Sequence, residues 1–479
     1  IRDESESRGL GDVYKRQLSL TALILMIQAS IKRDHRIAWW ISTLGLLTTL
    51  LSIYSASNFS QDVGPLLKVD AWGLWFSALL IFCALITLAL SRDIFHTQAD
   101  TKEEYYLLLI LSTLGAVVLV QAAHTASLLL GMELMGIALY AMIAFPKSGD
   151  LPLEAAVKYL VLSACASAML LFGFALLYGA TGDLSFAGMG AKAASGYLNN
   201  PLLVLAGAAI VLAGMGFKLS LVPFHMWTPD VYQGAPTAVT TFLATLSKGA
   251  MFVAMVRLIL DGQLYRYESL MNALSVVAVA SMLVGNWLAL RQQQIKRLIA
   301  YSSTAHFGYL LVAIIALPHL GDTQQLGRAA ISFYLVAYIV TTLAALTVIA
   351  NVGGEEDSDM QAFDGLFWRH PAQAITLAVA MLSFAGIPLT AGFMGKFYLI
   401  TLTLNAQLWL LLGTLMIGSA IAIYHYLRVI FTMSAEPHQL NKGSPTVLGW
   451  RNPVALLLML AVLAIGSWPQ PLIDLIGRL

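Results

Sequence analysis

Charged residues are scarce in this chain of 479 residues: Asp, Glu, Lys and Arg together make up 11% of it, against roughly 25% in soluble domains. So little charge cannot cover a soluble fold, and with 58% hydrophobic residues the chain reads as a polytopic membrane protein. Acidic and basic residues nearly cancel, at a net charge of +1, and neither sign forms an extended run. Nothing therefore points to nucleic acid as a partner. Cysteine is almost absent. Cys83 and Cys165 each stand inside an apolar run with no CxxC pattern, so both are expected to be small buried side chains rather than a disulfide or a metal site. Long polar segments are missing too. No loop between apolar runs is much longer than roughly twenty residues, which leaves no room for a soluble catalytic domain. The Gly-Met-Gly triplets at 188–190 and 214–216 follow no strand, so no dinucleotide site is expected there.

What the chain has in abundance is apolar runs, about fourteen of them. Three lie within residues 18–91, five within 105–260, five within 272–432 and one within 454–475. The first, from Leu18 to Ile31, would be only ~21 Å long as a helix, against a bilayer core of ~30 Å. Residues 1–17 in front of it lack an initiator Met, mix both charge signs and have no apolar centre, and are expected to be a non-native tail. Lys and Arg gather in the loops after odd-numbered runs, among them Lys32, Arg33, Arg92, Arg291, Lys296 and Arg297. Loops after even-numbered runs hold only Lys68, Lys192, Arg266 and Arg328. Positive-inside reasoning puts the odd loops in the cytoplasm. Arg2, Arg8, Lys15 and Arg16 run against this and add to the case for a foreign tail.

The few charges that enter the apolar runs are the candidates for chemistry. The stretch from Gly214 to Lys248 places Lys218 and Lys248 in apolar surroundings, interrupts them with Pro223, Pro229 and Pro236, and carries His225, Asp230, Tyr232 and Gln233 in the turn. Counted from Pro236, Lys248 lies ~18 Å into its run; Glu133 is ~12 Å from Thr125, and His306 ~14 Å from Arg297. These are too deep for comfortable snorkelling, and a charge at such depth normally lines an ion or proton route. Lys158 follows Glu154 by one helical turn, so an ordinary i,i+4 pair competes with a functional role. The run from Pro371 to Leu404 is too long for one span; it is expected to break near Gly386 and Pro388 ahead of Lys396, as the seventh run breaks after Lys218. Interrupted segments at matching places in two halves point to an inverted repeat. The fold expected is an all-α polytopic membrane protein of about fourteen transmembrane helices, with two inverted five-helix repeats and two broken helices. Its candidate residues are Glu133, Lys218, Lys248, His306 and Lys396; buried lysines short of counter-charge can gain and lose protons. The alternative is a set of internal ion pairs that only hold helices together.

Three segments, GFKLSLVPFHMWTPDVYQGAPT, IKRLIAYSSTAHFGYL and LSFAGIPLTAGFMGKFYLI, resemble the antiporter-like membrane subunits of respiratory complex I, of multisubunit cation/proton antiporters and of membrane hydrogenases. The resemblance runs from about residue 18 to the C-terminus. Within that family a lysine at the second break, here Lys396, marks two of the three bacterial types of complex I, and the sequence shows no long C-terminal lateral helix, a feature of the largest type. The resemblance implies that Glu133 pairs with Lys218, that Lys248 is a central relay, and that His306 links it to Lys396. It also implies a bacterial inner-membrane location beside a neighbouring antiporter-like subunit and small membrane subunits. NADH, FMN, iron–sulfur clusters and quinone would be bound by those partner subunits, with no cofactor or metal in this chain.

Overall fold

A computed structural model describes residues 13–56, 61–63, 65–92, 102–145, 150–195, 201–320, 324–352, 359–436 and 451–477. Among them, 11 helices are long and apolar enough to cross a membrane, or 12 if the bent pair Asn452–Ser467 and Gln470–Ile476 is one span. Large apolar side chains such as Leu130, Ile137, Leu171, Phe172, Leu202 and Leu457 point outward from these helices. That surface has no place in water, and the protein is a multi-pass membrane protein. Two of the expected runs are outside this set. The first forms the helix Val13–Ile31; the twelfth is divided into Pro371–Ala385 and Ala391–Asn405.

The start of the chain differs from expectation. Residues 1–12 of the expected tail lie outside the described residues, but 13–17 are the first turn of the Val13–Ile31 helix. The Tyr14 hydroxyl donates to Gln121 Oε1 at 2.6 Å. The helix thus begins five residues ahead of the apolar run at Leu18, because a helix can continue through charge wherever its backbone bonds are made within it. Cys165 is another difference: it is exposed on the Asp150–Thr181 helix, whereas Cys83 is buried.

The chain divides into two compact units. One contains Ile1–Leu219 and Leu246–Leu270; the other contains Ser220–Thr245 and Met271–Arg478. In the first, the helix Asp150–Thr181 packs along Pro201–Leu219, and Lys102–Val120 along Thr125–Ile143. Lipid offers no hydrophobic drive for such pairing, so close backbone approach supplies it. A Cβ on Gly173 would lie 2.8 Å from the Gly207 carbonyl, and one on Gly207 2.8 Å from that of Gly173. A small antiparallel hairpin, Gln61–Val63 with Leu67–Val69, interrupts the helices. Its second strand is anchored by Lys68 N–H donating to the Gln121 carbonyl at 2.9 Å. At the head of the helix Ala71–Ser91, Asp70 accepts from the Gly73 amide at 2.7 Å and pairs with Arg257.

In the second unit, Ile295–Ala316 is buried along nearly its whole length although it carries Lys296, Tyr301, three successive hydroxyl residues and His306. Its neighbours include Gln324–Val352 and the short Trp227–Gly234 helix. The helix Pro371–Ala385 ends in a left-handed Gly386 with φ of 82°, a conformation that suits a residue without Cβ. Leu389 also has positive φ, at 71°, and the chain resumes as a helix at Ala391.

Candidate functional site

Each unit buries part of the candidate set. Relative exposure is 5% for Lys218, 1% for Lys248, 4% for His306 and 5% for Lys396; Glu133 is half-buried. In the first unit, Lys218 lies in the last turn of Pro201–Leu219, two residues before Ser220 at φ 63°. The carbonyls of a helix C-terminus carry partial negative charge, so this is where an ammonium is best tolerated. Its Nζ donates to the Ser163 hydroxyl, which is also hydrogen-bonded to Tyr140, and lies 5.7 Å from the centre of the Tyr159 ring. Glu133, on Thr125–Ile143, accepts from Ser167. Ser163 and Ser167 are one turn apart on the same helix, where Ser167 also donates to the Ser163 carbonyl at 3.1 Å. The acid and the amine are thus presented to adjacent hydroxyls of Asp150–Thr181.

Lys248 opens the helix Lys248–Asp261, directly after a π-helical turn, Leu243–Ser247. It is the twelfth residue of the 25-residue span Thr237–Asp261, roughly 17 Å from its start. π-Turns widen the helix locally and recur at functional sites; apolar patterning gives no sign of one. Lys158 proves to be the ordinary pair: it lies 2.7 Å from Glu154, with side chains 42% and 56% exposed.

In the second unit, His306 has a tyrosine on each ring nitrogen. Nδ1 is 2.8 Å from the Tyr334 hydroxyl, and Nε2 is 3.4 Å from that of Tyr426. Tyr426 is further bonded to Ser302, while Ser303 meets Tyr338 at 2.8 Å. Of the hydroxyls flanking His306 in sequence, Ser302 therefore joins the network through Tyr426, while Ser303 holds a tyrosine whose ring packs 5.5 Å from that of His306. The ring of Tyr301 instead packs against His225, at 6.2 Å between centres. Lys396 lies in the second turn of its helix, yet its Nζ reaches back across the break to the carbonyl of Ala385, at 2.9 Å. It thus uses the negative end of the preceding helix, whereas the Lys218 ammonium is held by Ser163 on a neighbouring helix. Asp230 and Gln233 are held by Arg297 at 2.7 Å and 2.9 Å, which ties the turn after Pro223 to the start of the His306 helix.

Ser163, Ser167, Tyr140, Tyr334 and Tyr426 were not singled out from the sequence. The i,i+4 spacing of Ser163 and Ser167 in an apolar run was the one signal that pointed to any of them. Among the described residues no three His, Cys, Asp or Glu side chains come together to hold a metal. Chemically, the groups in each unit are of kinds that can take up and hold protons, amines beside hydroxyls in the first and an imidazole beside tyrosines in the second, in a low-dielectric interior.

Comparison with known proteins follows the same line. Residues 122–422 match the family described as the transmembrane region of NADH:quinone oxidoreductase and Mrp antiporters. A chain of respiratory complex I from Thermus thermophilus, solved with bound aureothin, is 31% identical, covering 96% of this chain and 98% of that one, with a TM-score of 0.82. A chain of the membrane-bound sulfane sulfur reductase, an archaeal respiratory membrane complex, is 25% identical, with 98% and 96% covered and a TM-score of 0.84. A chain of the Mrp complex from Dietzia sp. shares the fold, with a TM-score of 0.85 at 19% identity and 98% and 96% covered.

Proposed function

The chain belongs to the NADH:quinone oxidoreductase/Mrp antiporter transmembrane family, and from that membership we propose that it is the proton-translocating subunit N of a bacterial NADH–quinone oxidoreductase. In this reading it crosses the inner membrane about fourteen times. Two inverted five-helix repeats, residues 105–260 and 272–432, each contain one broken helix. Helices within 18–91 precede them, and one within 454–475 follows. Glu133, Lys218 and Lys248 serve the first repeat, His306 and Lys396 the second. Redox energy released in partner subunits moves protons through these groups from cytoplasm to periplasm, and NADH, flavin, iron–sulfur clusters and quinone are bound by those partners.

The observation that carries the proposal is Lys248, an amine 1% exposed in the middle of an apolar span. Burying an ammonium there costs a few kcal/mol or more, a cost that a packing residue would not bring. Inverted membrane vesicles from a strain lacking the gene, complemented with wild type or Lys248→Ala, test it. In an assembled Lys248→Ala complex, NADH-driven quinone reduction and proton uptake both collapse; if both continue unchanged, the proposal fails. The fold is shared at a similar level with the Mrp complex, which favours one second reading, an Mrp-type cation/proton antiporter or membrane hydrogenase subunit. An antiporter would show sodium-dependent exchange without NADH oxidation.

A further inference from the structure

One buried titratable group of the second unit has no part in the relay described above. His425, on the helix Trp409–Ser434, is 0% exposed, and its ring centre lies 4.2 Å from that of Tyr426. The Ile421 carbonyl is one turn back, yet neither ring nitrogen makes a well-formed hydrogen bond to the protein. His306, by contrast, meets a tyrosine at both nitrogens. A buried nitrogen left unsatisfied is costly, and groups of this kind in a well-packed interior call for a reason.

The surroundings supply one. Lys396 Nζ sits on the carbonyl of Ala385 at 2.9 Å, the residue after Phe384, whose ring lies 5.5 Å from that of Tyr426 and 5.3 Å from that of His306; Arg428 is one turn further along the His425 helix. Arg428 does not complete the imidazole, because its guanidinium is engaged by the Leu290 carbonyl at 2.9 Å and by the Gln292 carbonyl. Two imidazoles and one amine therefore share one buried neighbourhood, and of the two imidazoles only His425 has no side-chain partner at either nitrogen.

We propose that His425 is a third proton-binding residue of the second unit, exchanging protons with Lys396; this rests on the proton-translocating reading. In the transfer, an N–H bond of the imidazolium breaks and an N–H bond forms on the neutral amine of Lys396, directly or through an intervening water. Imidazole is left neutral and Lys396 becomes the ammonium. The nitrogen that gave up its proton is then the bare one and takes the next proton, while the other keeps its N–H throughout.

The test is His425→Gln in the full complex, in inverted vesicles beside wild type and Lys248→Ala, with proton uptake measured in H2O and in D2O. Gln keeps a polar side chain of similar length but carries no proton. The expected result is normal assembly and uptake slowed by about tenfold, below the roughly 100-fold usual for a positioned proton-transfer group because water offers a slower bypass. The solvent isotope effect should also exceed that of wild type, since proton delivery becomes limiting. Wild-type uptake in His425→Gln, with Lys248→Ala inactive, overturns the proposal. Slowed uptake with an unchanged isotope effect overturns it as well, assigning His425 a structural role. If Lys248→Ala remains active, the proton-translocating reading itself has failed, and this inference falls with it.

Discussion

Ser163 joins two polar groups that would otherwise meet only apolar neighbours. Fully buried, its hydroxyl accepts from the Lys218 ammonium and bonds Tyr140. Ser163→Ala removes that acceptor, and a buried charged donor short of a partner costs about 1–3 kcal/mol. Proton uptake in vesicles is expected to fall roughly tenfold, since about 1.4 kcal/mol is a factor of ten. Ser167→Ala should act in the same direction by releasing Glu133, and the double variant should be less than additive, because both serines lie on one helical turn. Strict additivity would show that the two are not one network. Asp70 gives a prediction in pH. Burial alone would raise its pKa, but the hydrogen bonds and charge of Arg257, the Gly73 amide and Lys68 together outweigh this, and the carboxyl lies below its ordinary range. A depressed value in the folded state contributes stability that is fully present above the unfolded pKa of about 3.9 and is lost as the pH falls through the folded one. Asp70→Asn leaves Arg257, only 3% exposed, without its counter-charge, at a cost of about 3 kcal/mol. Melting of the detergent-solubilised protein should show a constant gap between wild type and variant at neutral pH that narrows only below about pH 4. A gap independent of pH would remove the ion pair as its cause.

At the scale of the element, the interruption between Pro371–Ala385 and Ala391–Asn405 decides where Lys396 points. Gly386 caps the first helix in the left-handed region, and a Cβ there would meet Lys396 Cδ at 2.8 Å. Gly386→Ala therefore imposes about 1–2 kcal/mol of backbone cost and also displaces the lysine from the Ala385 carbonyl. A lowered melting temperature together with slowed proton uptake is expected. Gly413→Ala, on a helix and with nothing within 4 Å of the added methyl, is the control and should be neutral or slightly stabilising. Equal behaviour of the two variants would mean that the turn does not position Lys396. The paired helices Asp150–Thr181 and Pro201–Leu219 depend on the Gly173 and Gly207 contact in the same physical sense. Gly207→Leu should force them apart and lower the melting temperature without touching a charged group.

At the scale of the whole molecule, the chain is a membrane protein of two compact units whose buried charges would have no place in a passive anchor, and the family it belongs to contains subunits of respiratory and antiporter complexes. Composition alone was enough for the membrane class, because apolar helices with so few charges have no other solvent. Depth along a run was enough to single out Glu133, Lys248 and His306, because rise per residue converts sequence position into distance, and the Gly and Pro interruptions of two apolar runs singled out Lys218 and Lys396. Sequence could not locate the start of the first helix, since charge near a helix end is compatible with either side of the boundary. The exposure of Cys165 and the hairpin at Gln61–Val69 were equally out of reach: the first depends on which face of a uniformly apolar helix turns outward, the second on anchoring by Gln121, 53 residues away from Lys68. The partners of the buried charges belong to the same class. Ser163 and Ser167 beneath Lys218 and Glu133, the tyrosines on either side of His306 and the Ala385 carbonyl under Lys396 are brought there by helix packing. The sequence by itself determined which charges stand inside apolar runs and how far along them, as these follow from spacing along one helix. Only the tertiary structure decided what each charge touches, because that depends on the rotation and contact of helices distant in the chain.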